Sequence, residues 1–123
     1  MENKKPNEYL NLDTNFMIIR AVIDSTGKID DDRTILDFFE NIDLKYPSKI
    51  VIEKYTIEGE PTFIIIEYNG KRIKYTNDST KTISKDIKTY KGNNYKVEND
   101  RDRITYNLYK GDKFITKMIS YRK

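Results

Sequence analysis

The chain has 123 residues, of which 37% are hydrophobic and 35% are charged, and its formal net charge is +3. This length corresponds to one domain, and the sequence has no apolar run long enough for a membrane-spanning helix. The absence of Cys and His excludes disulfides and thiol chemistry and removes the commonest general base and transition-metal ligand. We therefore predict no cofactor and no metal site.

Charge is distributed unevenly along the chain. Residues 1–60 contain 8 Lys/Arg and 13 Asp/Glu, a net charge of −5, whereas residues 61–123 contain 15 and 7, a net charge of +8. Such an asymmetry can create an anion-binding face. A compositional bias toward Lys, Ile, Asn and Tyr is the explanation we favour, because charged residues usually serve to solvate a surface. Both interpretations stay open here.

The N-terminal part predicts a leader followed by a helix. Residues 1–8 are polar and include Pro6, which indicates a flexible leader or tether ahead of one domain over residues 9–123. Asp13, Thr14 and Asn15 are possible N-caps of a helix over residues 14–24, whose apolar positions suit a broad buried face. The β-branched run MIIRAVI makes a strand the alternative.

A second helix is predicted from the acidic stretch at residues 30–32 through RTILDFFENI to the region before Pro47. Acidic residues stabilise a helix N-terminus by capping and through the helix dipole. Apolar residues recur at steps of three and four along one face, and we expect them to be buried: they are Ile35, Phe38, Phe39 and Ile42. The three aspartates lack the spacing of a calcium-binding loop.

Residues 50–76 predict three antiparallel strands joined by two tight turns. The Asn69-Gly70 pair is typical of a two-residue hairpin loop, which would place Ile66 opposite Ile73. Gly59 and Pro61 predict the other turn, with a positive φ at the glycine and the proline opening a strand. The apolar residues change phase near Glu53-Lys54, which suggests a β-bulge.

The rest of the chain predicts further strands separated by glycine-containing turns. The strand-like runs cover residues 85–91, 95–98, 103–109 and 113–121. The predicted fold is therefore α+β, with two N-terminal helices packed on one face of a meandering antiparallel sheet of about five to six strands. This order is similar, at the level of layout only, to the β-lactamase-inhibitor-protein architecture.

Several short motifs resemble a family of small Gram-positive lipoproteins catalogued as a domain of unknown function. They are Gly27-Lys28-Ile29, Leu36-Asp37-x-Phe39-x-Asn41, the heptapeptide YTIEGEP at residues 55–61, and Tyr68-x-Gly70-Lys71. The match covers residues 22–111, without the two cysteines that family members often carry. The resemblance implies an extracytoplasmic protein at the bacterial cell surface, held to the membrane only by a lipid anchor that this chain lacks. Without the resemblance, a cytoplasmic location is the alternative.

We predict a non-catalytic binding or interaction domain whose partner is a protein or a cell-envelope polymer. Tyrosines on a sheet provide a large contact area at low entropic cost, and acidic turns add polar contacts. The candidate binding residues are Tyr55, Glu58, Glu60, Tyr75 and Asp78. The structural alternative is that these tyrosines close the edges of the core and the glutamates solvate a turn.

The second hypothesis is an anionic polymer bound by the basic C-terminal half. There Lys and Arg alternate with Tyr90, Tyr95, Tyr106 and Tyr109, a combination that suits teichoic acid or, less readily, nucleic acid. An enzyme without His or Cys would need paired carboxylates, a lysine or a tyrosine. Glu58 and Glu60 are the nearest such pair and no second acidic cluster accompanies them, so we predict no enzymatic activity.

Overall fold

The computed structural model describes residues 17–123. The predicted leader and the predicted N-caps at residues 13–15 lie outside this range. The described chain contains one helix and eight strands, which are, in order, β1 (Met17–Ile23), α1 (Asp32–Asp43), β2 (Ser48–Tyr55), β3 (Pro61–Tyr68), β4 (Ile73–Asp78), β5 (Ile87–Gly92), β6 (Asn94–Asn99), β7 (Arg103–Lys110) and β8 (Lys113–Arg122). No helix in this range is long and apolar enough to cross a membrane.

The strands form two sheets. The first sheet has the order β1-β2-β3-β4-β5, and the second has the order β6-β7-β8. All neighbouring strands are antiparallel except β1 and β2, which are parallel. Parallel neighbours need a crossover connection, and α1 provides it between β1 and β2.

The core lies on one face of the first sheet, which we call the inner face. Alternate residues of β1 to β4 point to it, and α1 and the second sheet cover it, so that all three contribute to one buried cluster. Phe39 of α1 joins the two covering elements, because its ring lies parallel to that of Tyr106, with ring centres 4.0 Å apart. The opposite surface of the first sheet, which we call the outer face, is open to solvent within the described chain.

The second predicted helix is confirmed. The N-cap is Asp31, whose carboxylate accepts a hydrogen bond from the backbone N–H of Arg33 at 3.0 Å. All four residues of its predicted apolar face are buried. The capping of the first turn and the three-to-four-residue apolar period thus both stabilise a helix in the same segment.

The fold-class prediction is wrong, because the described chain has one helix, not two, and two sheets, not one. The segment predicted as the first helix forms β1 from Met17 to Ile23, the alternative considered above. Its apolar run suits either structure locally, and pairing with β2 decides the outcome. Ala21 and Ile23 are buried on the inner face.

The hairpin between β3 and β4 also differs from the prediction. Its loop holds four residues, 69–72, and Ile66 therefore pairs with Tyr75 rather than with Ile73. The Asn69 side chain accepts hydrogen bonds from two backbone N–H groups of the loop, at 2.9 and 2.8 Å, which stabilises the longer connection. Because the shift is two residues, each side chain keeps its predicted face.

The predicted bulge near Glu53-Lys54 is absent, since β2 pairs with β3 in one continuous register from Ser48 to Tyr55. Both faces of β2 carry apolar residues, so the apparent change of phase reflects two apolar faces rather than an irregular backbone. As a consequence, Lys54 follows Ile50 and Ile52 on the inner face.

The β5–β6 junction takes the chain from one sheet to the other at Gly92. The predicted turn there does not pair its flanking strands, because β5 belongs to the first sheet and β6 to the second. A Cβ atom on Gly92 would lie 2.5 Å from the carbonyl oxygen of Tyr109 and 2.8 Å from a methyl carbon of Leu108. Glycine therefore allows the junction to pass directly over β7.

Replacing Gly92 tests this close approach. We expect Gly92→Ala to lower the free energy of unfolding by about 1–3 kcal/mol, because the added methyl group overpacks the junction against backbone. Denaturant unfolding measures the change. An alanine variant as stable as the parent would contradict the tight passage over β7.

Replacing Phe39 tests the connection between the helix and the second sheet. Phe39 is 3% exposed, and we expect Phe39→Ala to lower the free energy of unfolding by roughly 3–5 kcal/mol, the usual range for a buried phenylalanine. Thermal and urea unfolding provide the measurement. Exposed Leu36 of the same helix serves as a control, since Leu36→Ala removes far less buried area. Equal effects of the two substitutions would be inconsistent with this packing.

Candidate functional site: a basic groove between the two sheets

The two sheets leave an open groove where the ends of β2 to β5 face β8. It consists of two adjoining cavities of about 280 and 380 Å³. We call it the inter-sheet groove and define it by nine of the residues that line it: Lys54, Thr62, Tyr75, Asn77, Ser79, Lys88, Tyr90, Lys117 and Ser120. Cavities of this size are within the range that holds small ligands or a segment of a polymer.

The groove owes its polarity to the end of the inner face. Lys54 stands opposite Thr62 at the last inner position of the β2–β3 pair, one step beyond the buried pair Ile52 and Ile64. The inner-face residues of β2 and β3 therefore change from isoleucine to polar side chains at this level of the sheet. In β2 and β3 the apolar core ends at this level and the groove begins, whereas Ile23 of the neighbouring β1 is still buried.

Two cations, Lys54 and Lys117, line the groove from opposite sheets, and Arg103 lies beside it, close enough for its charge to act on Lys54. Lys54 comes from the first sheet, and Lys117 and Arg103 come from β8 and β7 of the second. Partial burial lowers the pKa of the Lys54 ammonium group, and the positive charges of Lys117 and Arg103 lower it further. The charged form of Lys54 is therefore disfavoured in the folded protein by lost hydration and by like-charge repulsion.

Carboxylates do not compensate these three charges. Within residues 17–123, neither Lys54 nor Lys117 nor Arg103 forms an ion pair. The one carboxylate among the groove-lining residues is Asp86, and it lies 3.5 Å from the ammonium nitrogen of Lys88. The groove is therefore positively charged.

A chain of hydrogen bonds runs along the first-sheet wall and ends at Tyr75. The Ser79 hydroxyl donates to the Asn77 side-chain oxygen at 3.2 Å, and the Asn77 amide donates to the Tyr75 hydroxyl at 3.0 Å. The Thr62 hydroxyl lies 3.4 Å from that of Ser79 and is the donor of this pair, because the Ser79 proton is already used.

The Tyr75 hydroxyl accepts a hydrogen bond and retains its own proton for a further acceptor. Burial raises the pKa of this phenol, so it remains protonated at neutral pH. Within residues 17–123 no acceptor takes this proton. Tyr75 therefore adds an unused donor to the cationic groove.

The second-sheet wall holds Arg103 in place through a hydroxyl cluster. The Arg103 Nε donates to the Ser120 hydroxyl at 3.1 Å, and the Thr105 hydroxyl lies 2.9 Å from the same oxygen. Ser120 is 6% exposed. The guanidinium group is thus oriented by a buried partner while its positive charge remains uncompensated.

The structure separates the five residues predicted as a binding site. Tyr75 lies on the inner face, in the groove. Tyr55 borders the groove next to Lys54, but its side chain belongs to the outer face, where its hydroxyl donates to the Glu53 carboxylate at 2.6 Å. Asp78 also lies on the outer face, and its carboxylate accepts hydrogen bonds from the backbone N–H and the hydroxyl of Thr80, at 2.9 and 2.6 Å.

The two predicted glutamates belong to the loop between β2 and β3. Glu58 is exposed and Glu60 is half-buried. The Glu60 backbone N–H donates to the Thr56 hydroxyl at 3.1 Å, so this residue takes part in the turn itself. The predicted positive φ at Gly59 is confirmed, with a value of 87°.

The four tyrosines of the second hypothesis do not share one surface. Tyr90 lies in the groove beside Tyr75, with ring centres 5.8 Å apart. Tyr95 donates its hydroxyl to Asp43 at 2.8 Å, and Tyr106 is buried under α1. The remaining member, Tyr109, lies beneath the ammonium group of Lys96 on the other side of the second sheet.

Sequence reasoning missed Lys54 and Lys117 of the groove and the neighbouring Arg103. Lys54 had a local signal, since it continues the inner-face alternation after Ile50 and Ile52, but that alternation was attributed to a bulge. Arg103 and Lys117 had none, because they are two of many basic residues in the C-terminal half and only the packing of the second sheet brings them toward Lys54.

Comparisons of the chain with protein-family models, with curated proteins and with solved structures give no match. The chemistry of the inter-sheet groove is therefore the basis for the functional proposal.

The lowered pKa of Lys54 predicts a pH-dependent effect of its removal. The folded chain releases this proton at a lower pH than the unfolded chain, whose lysine titrates near 10.5, so this residue's contribution to the free energy of unfolding rises with pH in the range below 10.5. We expect Lys54→Met to be more stable than the parent at pH 7, and the difference to shrink as the pH rises toward 10.5.

Urea unfolding of both proteins at several pH values measures this difference in the free energy of unfolding. Both proteins contain the same tyrosines, so the effect of tyrosine titration on stability cancels in the comparison. Lys113→Met, on the same strand as Lys117 but outside the groove, is the control and should show no such trend. A difference that stays constant or widens with pH would contradict the proposed environment of Lys54.

Proposed function

We propose that this chain is a binding domain whose inter-sheet groove takes an anionic ligand bearing phosphate or a similar oxyanion. The observation that carries this proposal is the placement of Lys54 and Lys117, with Arg103 nearby and without a compensating carboxylate, in a groove that also offers the unused proton of Tyr75. Such an arrangement places positive charge beside a hydrogen-bond donor, and an oxyanion complements both.

An oxyanion in the groove would relieve an unfavourable arrangement. Lys54 is partly desolvated and repelled by its neighbours, and a bound negative charge replaces both the lost hydration and the missing counter-charge. The adjoining cavity, with Lys88 and Tyr90, extends the site along β5. This extension supports a ligand with several charges in a row, or a charged group attached to a ring that contacts Tyr90.

The extracytoplasmic, lipid-anchored position is part of this proposal only through the family resemblance of the YTIEGEP and neighbouring motifs. A cell-envelope polymer with repeated phosphates is a ligand of the proposed chemistry that such a position would make available. We also propose that the groove is not catalytic, because its one carboxylate, that of Asp86, is paired with Lys88.

Titration with inorganic phosphate and with tripolyphosphate, followed by calorimetry and thermal shift, tests the proposal. We expect tripolyphosphate to bind more tightly than phosphate and to raise the melting temperature, with an affinity that falls as salt increases. Lys54→Met and Lys117→Met should each weaken binding by roughly 10- to 100-fold, the usual range for a charged hydrogen bond.

Tyr75→Phe removes the donor without changing the charge and should weaken binding less than the lysine variants do. Lys113→Met loses the same charge outside the groove and should bind as the parent does. Absence of binding to the parent protein, or equal weakening by Lys113→Met and Lys54→Met, would show that the groove is not an anion site.

A further inference from the structure

The outer face of the first sheet combines an apolar middle with solvent-exposed margins. Side chains of alternate residues in β1 to β5 point to this face. Its apolar members are Ile18, Val22, Val51, Phe63, Ile65 and Ile87. Two of them are large hydrophobic residues with high exposure, Ile18 at 45% and Ile87 at 56%.

Within residues 17–123, no helix or strand packs on this face, because α1 and the second sheet both join the core on the inner face. In β1 to β3 this face carries apolar residues that the described chain leaves uncovered. Contiguous apolar surface of this kind marks an interaction site.

The charges on the outer face are arranged in opposite rows, as the strand register shows. At one end of the sheet, Lys49, Glu67, Lys74 and Lys91 lie side by side across β2 to β5 and carry a net charge of +2. At the other end, the corresponding row holds Glu53 and Asp78, a net charge of −2. The row between them runs Arg20, Val51, Ile65, Thr76 and Thr89, with the apolar pair Val51 and Ile65 in β2 and β3.

This pattern is self-complementary under a two-fold rotation. If two copies face each other about an axis that lies between the sheets and runs along the middle row, each strand meets the same strand of the second copy in the opposite direction. Lys49 then faces Glu53 and Lys74 faces Asp78, each across the interface, while Ile65 faces itself. Sheets that pack face to face cross at about 30°, so contact is centred on β2 to β4, and Arg20 in the edge strand lies at the margin.

We propose that the outer face of the first sheet is a self-association surface, on which a second copy of this chain packs about a two-fold axis. In a two-fold interface both copies contribute the same patch, so this one surface must carry both members of each contact. The outer face meets that requirement through its opposed rows of charge and its apolar centre. This proposal is independent of anion binding, which uses the inner face.

Sedimentation velocity over a range of protein concentrations tests whether the parent chain dimerises. We expect a reversible dimer whose dissociation constant rises at least tenfold in Ile65→Asp, since this places two carboxylates at the centre of the interface. Ile83 is 90% exposed and lies outside the outer face, so Ile83→Asp is the matched control and should leave the dimer unchanged.

Charge reversal provides a test that keeps the apolar centre intact. Lys74→Asp and Asp78→Lys should each weaken the homodimer, because each places like charges opposite one another at two symmetric positions. In a mixture of the two variants, the heterodimer again has opposite charges at both of these positions, so we expect mixing to restore association.

A parent chain that stays monomeric at every concentration overturns the proposal, as does a dimer that survives Ile65→Asp in folded form. A mixture of the two charge variants that remains as dissociated as each variant alone overturns the two-fold arrangement. If Ile65→Asp fails to fold, the charge variants decide the matter, with circular dichroism confirming that both are folded.

Discussion

The stacking of Phe39 on Tyr106 holds this fold together, because it joins the two different elements that cover one face of the first sheet. The helix enters by the crossover between the parallel strands β1 and β2, and the second sheet enters through the Gly92 junction. Neither element is large enough to cover the inner face alone. Their contact through one aromatic pair, 4.0 Å between ring centres, makes a single core from three pieces.

The covering of the inner face by these two different elements also creates the groove. A helix and a three-stranded sheet do not match the shape of a five-stranded sheet, so the cover is incomplete at one end. The residues at that end are polar, and Lys54 occupies a position where a purely structural protein would place an apolar residue. Charges placed together without counter-charges cost stability, and functional sites are the usual places where a fold accepts such a cost.

The two faces of the first sheet differ in their chemistry. The inner face provides the core at one level and the cationic groove at the next, whereas the outer face combines an apolar centre with opposed rows of charge. Because neighbouring residues of a strand point to opposite faces, substitutions on one face can be made with little direct effect on the other. Anion binding and self-association are therefore separable by experiment.

Local sequence determined the features that depend on a few adjacent residues. The helix from Asp32 to Asp43 followed from its capping aspartate and its apolar period, and the positive φ at Gly59 followed from turn chemistry. Which face each residue of β3 and β4 occupies was also predictable, although the loop is two residues longer than expected, because a shift of two preserves the alternation.

Tertiary structure alone decided the rest. The run MIIRAVI became a strand because β2 offers it a parallel partner, and β5 and β6 separated into two sheets because Gly92 allows the chain to cross β7. The groove is likewise a product of tertiary structure, since Lys54 lies about fifty residues from Arg103 and over sixty from Lys117 in sequence. Side chains that distant meet only through the packing of complete elements, and that packing depends on the whole core rather than on any local pattern.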